Sequence, residues 1–339
     1  MKHSGSLVLL LAAPLTGLAQ TAIFTDNFGN GSTFNGVSTP GGTPAASSSS
    51  YDFASSKTGA ESIAAGHLSF GLSAATTSGF VEAQAIFTST PVTLATVGDY
   101  INFTYTFTDT ANLLAGGTSA ALYTGLYNSG GNTPVAGTAG TSGNAVTLNT
   151  TGGSALATGN AASWQGYVAR ITGNGGTAAA YVRPGQSGAG TTSANQELIG
   201  NNFGSGAYNN PSGVTLGTAA STVALTAGSQ YTVSEILTLS GTGQISLSDT
   251  LYSGVGTGGA VLSTLLSSSS AAGTNFVNSF DGLAIGIRNT GTSLNPQIDV
   301  NQITITAAVQ PAPEPSTLAL VGLGSLGCLW FGRQVRRPA

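Results

Sequence analysis

Hydrophobic and polar positions alternate through most of this chain. From 100 to 108, Ile101, Phe103, Tyr105 and Phe107 fall on one side, and Asn102, Thr104, Thr106 and Thr108 on the other. A period of two places one side of a strand in a core and the other in water. Comparable runs predict strands at 21–28, 67–72, 80–88, 92–97, 120–127, 164–172, 178–183, 222–225, 231–239, 244–251, 282–288 and 297–306. Gly, Asn and Ser punctuate them. Gly173-Asn174-Gly175-Gly176 reads as a tight hairpin between two runs. In the last run the apolar phase shifts between Val300 and Ile303, which predicts a β-bulge near Asn301. No helical period competes outside the two ends, so the expected fold is all-β, a single two-sheet sandwich of jelly-roll type. The stretches 30–50 and 130–160 carry almost no bulky residues and read as long excursions over it.

The ends break the pattern. Residues 1–19 have a weakly cationic start at Lys2, an apolar run at 7–15 and small residues at Gly17 and Ala19, which reads as a secretory signal helix removed after Ala19. At the other end, Pro313-Glu314-Pro315 precedes the apolar run 318–331, and Arg333, Arg336 and Arg337 follow it. The two prolines hold the first segment extended. From Thr317 to Gly332 there are 16 residues without a charge, just short of the about 17–25 of a spanning helix. The arginines then act as a cytoplasmic stop. A core helix would normally show a polar face, and this run shows none. The expected division is 1–19 signal peptide, 20–309 cargo sandwich, and 310–339 sorting tail with a transmembrane helix.

That tail resembles the PEP-CTERM sorting signal of exported bacterial proteins. The resemblance implies an exosortase-type membrane protease as partner, retention in the membrane through the C-terminal helix, and a final place at the cell surface or in the extracellular matrix. The body is similar to concanavalin-like lectin and glucanase sandwiches. The residues that carry this likeness are Asp26-Asn27-Phe28, the segment from Tyr51 to Lys57, and Phe280-Asp281-Gly282-Leu283-Ala284-Ile285-Gly286.

Composition narrows the function. Only 6% of residues are charged, and Gly is 50 of 339, so the body is polar through hydroxyls, amides and backbone. Between 20 and 315 stand Lys57, Arg170, Arg183 and Arg288 against twelve acids, a formal charge of −8. Phosphate binding needs clustered cations, so a nucleic-acid partner is excluded. The single cysteine, Cys328, lies in the apolar tail, so no disulfide staples the body.

Catalytic chemistry is sparse. No Glu-x-Asp-x-x-Glu pattern offers two carboxylates from one strand, as a jelly-roll glycoside hydrolase requires. His67 is the only histidine outside the signal, which rules out a zinc or Cys-His site. The sequence reading is therefore of a non-enzyme with no catalytic residues, no cofactor and no metal site. The one structural Ca2+ candidate is Asp26 with Asp299, which become neighbours if the terminal strands pair. The alternative is a glycan-acting enzyme, whose carboxylates would come from Glu61, Glu82, Asp109, Glu197, Glu235 and Asp249. For binding extracellular polysaccharide, the best candidate is the hairpin bearing Trp164, Tyr167, Arg170, Tyr181 and Arg183. Alternation there puts an aromatic-arginine pair on one side, and sugar rings stack on exposed aromatic faces.

Overall fold

The computed structural model describes residues 20–29, 51–55, 59–64, 66–72, 79–111, 113–114, 120–134, 146–147, 161–173, 175–185, 197–199, 214–220, 222–268, 276–289 and 296–309. The expected signal helix and transmembrane helix lie outside these residues. Among the described residues no helix is long and apolar enough to cross a membrane, and the one helical element is a single 3-10 turn at Ala161–Ser163.

The strands are β1 (Thr21–Asp26), β2 (Asp52–Ser55), β3 (Gly59–Ala64), β4 (His67–Leu72), β5 (Gly79–Ile86), β6 (Val92–Thr93), β7 (Tyr100–Ala111), β8 (Ala120–Asn128) and β9 (Val146–Thr147). They continue with β10 (Gln165–Thr172), β11 (Thr177–Arg183), β12 (Val214–Ala220), β13 (Gln230–Gly241), β14 (Gln244–Ser253), β15 (Val261–Ser268), β16 (Ser279–Phe280), β17 (Gly282–Asn289) and β18 (Gln297–Ala308). Two sheets of eight strands stack face to face. Sheet A runs β15-β14-β13-β7-β18-β4-β3, with β1 also on β18, and sheet B runs β12-β11-β10-β8-β17-β5-β2-β9. Strands β16 and β6 form a separate pair.

The expected all-β sandwich is present, and its core follows the alternation. From sheet A, Ile101, Phe103, Tyr105 and Phe107 of β7 enter one apolar layer with Val233 and Leu237 of β13 and with Ile303 and Ile305 of β18. Sheet B closes that layer with Leu122 and Leu126 of β8 and with Leu283, Ile285 and Ile287 of β17. The one polar tip in the β7 row is satisfied across the layer, where the Tyr105 hydroxyl and the Thr124 hydroxyl lie 2.9 Å apart.

The expected hairpin is present. Gly175 takes φ +85° between β10 and β11, which pair antiparallel from Gly166↔Arg183 to Arg170↔Ala179. The bulge is also where the phase shift put it, with the β18 register against β7 slipping between Val300 and Gln302. Two expectations are corrected. Residues 222–225 hold no strand, and of 92–97 only Val92–Thr93 does. The first has too few residues to show a period of two, and in the second the alternation breaks after Leu94 at Ala95-Thr96-Val97. Strands β2, β3, β12 and β15 went unread, because small residues and serines blur their alternation.

Candidate functional site

The outer face of sheet B carries the hairpin residues singled out above. Its in-register rows include Ala179–Arg170–Tyr123–Gly286–Glu82–Ala54, running from β11 to β2. Instead of meeting water, this face forms a second apolar cluster of Phe80, Tyr123, Tyr127, Trp164, Val168, Tyr181, Leu198 and Ile199. Glycines on the sheet let the covering layer come down onto it. A Cβ at Gly282 would lie 2.6 Å from Cζ3 of Trp164.

This corrects the expectation that the hairpin presents an aromatic-arginine pair to solvent. Trp164 is fully buried, and its indole N–H donates to the Asn132 carbonyl at 3.0 Å. Arg183 is also fully buried and donates to the Trp164 carbonyl. Tyr167 faces the opposite way, into the layer between the sheets. Arg170 is part-exposed, lies 5.6 Å from the Tyr181 ring centroid and donates to the Thr177 carbonyl at 2.9 Å. The alternation rule assigned the sides correctly. It carried no information about what covers them.

Two carboxylates meet on this covered face. Both oxygens of Glu82 accept from successive backbone amides, Leu198 N–H at 2.9 Å and Ile199 N–H at 3.0 Å, and the Gln84 amide donates to it as well. Burial, then repulsion from Glu197, pushes Glu82 up to about 8 against those hydrogen bonds. Glu197 pairs with Arg288 at 2.7 Å, and burial still pushes it up to about 7. Glu82 therefore ties the 197–199 segment to the sheet.

A second acid pair lies between the sheets. Glu235 on β13 and Asp249 on β14 stand directly opposite each other in the ladder. Both are buried, and among the described residues none of their four oxygens has a hydrogen-bonding partner of good geometry. Burial and then the Asp249 charge raise Glu235 well above the ordinary range, and burial raises Asp249 to about 7. Two carboxylates in such surroundings cannot both be ionised at neutral pH. The sequence placed Glu235 in phase with Tyr231, Val233 and Leu237, but its partner on the next strand is visible only once the strands are paired.

The terminal strands pair as expected, with Asp26 opposite Ile303. Asp26 is buried and accepts from Phe28 N–H at 2.8 Å and the Tyr51 hydroxyl at 2.9 Å. Asp299 accepts from the Ser69 hydroxyl at 2.5 Å. The two do not share a site, because their strands turn them to opposite faces. Among the described residues no three His, Cys, Asp or Glu side chains group to hold a metal.

The outer face of sheet A is open in part: across β7, β13, β14 and β15 its outward side chains are uncharged, and residues 254–256 bond to the Thr232 hydroxyl, leaving Thr106 and Thr232 buried. Two recesses lie on it. One of about 280 Å³ is lined by Gln20, Asn102, Thr104, Gln302 and Thr304, with residues 255–257 beside them. The other, of about 440 Å³, is lined by Ile236, Thr238, Ser246, Ser248 and Leu266. The sequence reading gave Asn102, Thr104 and Thr106 a wet side without asking what that side could bind.

Residues 311–337 match the PEP-CTERM protein-sorting motif. The chain carries an export address. Pro313, Glu314, Pro315, Arg333, Arg336 and Arg337 fall within the matched span, outside the described residues. No curated protein matches the chain. Among solved structures, an endo-1,3-β-glucanase from Streptomyces sioyaensis aligns at 14% identity and TM-score 0.42, covering 88% of this chain and 100% of its own. The Emp47p carbohydrate recognition domain aligns at 9% identity and TM-score 0.41, covering 86% of this chain and 97% of its own.

Proposed function

We propose that the chain is a non-enzymatic surface or extracellular-matrix protein, processed by an exosortase at its tail and embedded in extracellular polysaccharide. The observation that carries this is the sorting motif at 311–337. The Pro-Glu-Pro segment presents the scissile region, and the apolar run with its arginines holds the substrate in the membrane until it is cut. The state of the carboxylates supports a body without catalysis. Glu82 is committed to the 197–199 backbone, and Glu235 and Asp249 are enclosed between the sheets.

The test is mass spectrometry of the protein recovered from cells and from medium. A mature form lacking the tail is expected, and Arg333→Ser/Arg336→Ser/Arg337→Ser should accumulate precursor. Normal maturation of that triple variant would overturn the sorting role. A second reading, a glycan-acting enzyme, is favoured by one observation: Glu82 and Glu197 meet on the covered face, where burial raises both above the ordinary carboxylate range. Release of reducing ends from a glucan by the wild type, lost in both Glu82→Gln and Glu197→Gln, would replace the first reading with the second.

A further inference from the structure

We propose that the outer face of sheet A binds a neutral polysaccharide chain laid across its strands; this rests on the matrix reading above and gives it a surface. Six hydroxyl side chains stand in register across six strands: Thr25, Thr304, Thr104, Ser234, Thr250 and Thr264, on β1, β18, β7, β13, β14 and β15. Neighbouring strands are about 4.8 Å apart, close to the length of one pyranose unit. Ser234 and Thr250 are buried within the row, so the hydroxyls it offers an extended glycan are those of Thr25, Thr304 and Thr104, at about one per ring on three neighbouring strands, and that of Thr264 on the far strand.

The chemistry of the face selects the ligand. Each hydroxyl is one donor and a double acceptor, so a group already bonded within the sheet keeps capacity for a ligand. Asn102 Oδ1 accepts from Ser234 at 2.9 Å and from Thr104 at 3.2 Å, which fixes the middle of the row. The next row supplies apolar contact, where Ile236, Ser248 and Leu266 stand side by side, and Leu266 is 71% exposed. A sugar ring has apolar C–H faces and a rim of hydroxyls, and this face alternates the same two chemistries. The outward side chains of β13, β14 and β15 include no acid and no base. An anionic polymer would find no counter-charge there.

The experiment is co-sedimentation of the full chain, in mild detergent, with insoluble β-1,4-glucan, insoluble β-1,3-glucan and, for comparison, calcium alginate gel. Sedimentation with at least one neutral glucan is expected, unchanged at high salt. Thr104→Val/Thr304→Val removes two hydroxyls while keeping side-chain shape, and Leu266→Glu places a charge on an exposed position; each should lower affinity tenfold or more. Arg170→Ala and Tyr181→Ala, on the other sheet, should bind as wild type. Should the double variant fail to fold, Leu266→Glu alone decides. Wild-type affinity in a folded Leu266→Glu, loss confined to Arg170→Ala or Tyr181→Ala, or sedimentation with alginate alone would overturn the assignment. So would a correctly exported, folded chain that sediments with no neutral glucan, a result that leaves the matrix location standing. Failure of export would instead overturn the matrix reading.

Discussion

The two sheets are built on the same alternation but end with opposite outer faces. On sheet B the outward positions carry Tyr123, Tyr127, Val168 and Tyr181, and Trp164 with Leu198 and Ile199 close over them as a second core. On sheet A the outward positions carry Asn102, Thr104, Ser234 and Thr250; Ser234 and Thr250 are buried in their row, and the face stays open around two recesses. A face rich in aromatics gains from being covered, whereas a face of hydroxyls satisfies itself with water and neighbours. Availability to a ligand therefore follows from what lies over each sheet.

The largest expected effect tests whether the covered face is a true core. Trp164→Ala should destabilise by about 3–5 kcal/mol, as should Phe103→Ala between the sheets, while Thr104→Ala on the open face stays within about 1 kcal/mol. Urea unfolding measures all three. A Trp164→Ala cost no larger than that of Thr104→Ala would erase the contrast between the faces.

Next comes the buried acid pair. Folded-state proton affinities of Glu235 and Asp249 are raised by burial, so the folded chain holds protons that the unfolded chain releases. Their contribution is full below the ordinary carboxylate range and is lost as pH rises through about 7 for Asp249. Glu82 extends the same loss to about 8. Thermal unfolding should therefore show falling stability from mildly acidic to mildly alkaline pH. Glu235→Leu/Asp249→Leu should stabilise by about 1–4 kcal/mol, most at the alkaline end. A flat wild-type pH profile would remove the pair from the stability account.

Two smaller effects sharpen the comparison. Gly282→Ala pushes a methyl into the Trp164 ring and should cost about 1–3 kcal/mol by chemical denaturation. Glu82→Gln keeps one acceptor for the 197–199 amides and loses another, a local cost of about 1 kcal/mol. It should appear as faster hydrogen exchange at Leu198 and Ile199 with little change in global unfolding. Unchanged exchange there would mean that the segment is held by its apolar contacts instead.

Much of this was legible in the chain. A period of two set the strand class, assigned inward and outward sides along β7, β13 and β18, and located the bulge by its phase slip. The order of prolines, apolar run and arginines at the end marked the sorting tail, since that signal is local and needs no partner. Tertiary structure decided the rest. Alternation says which residues share a side, but burial depends on what packs against that side, so Trp164 and Arg183 could not be told from exposed residues by spacing. Glu235 and Asp249 are fourteen positions apart and meet only through the β13–β14 register. The hydroxyl row joins residues from Thr25 to Thr304 because six strands align; strand pairing is a long-range choice, and no short window of sequence contains it.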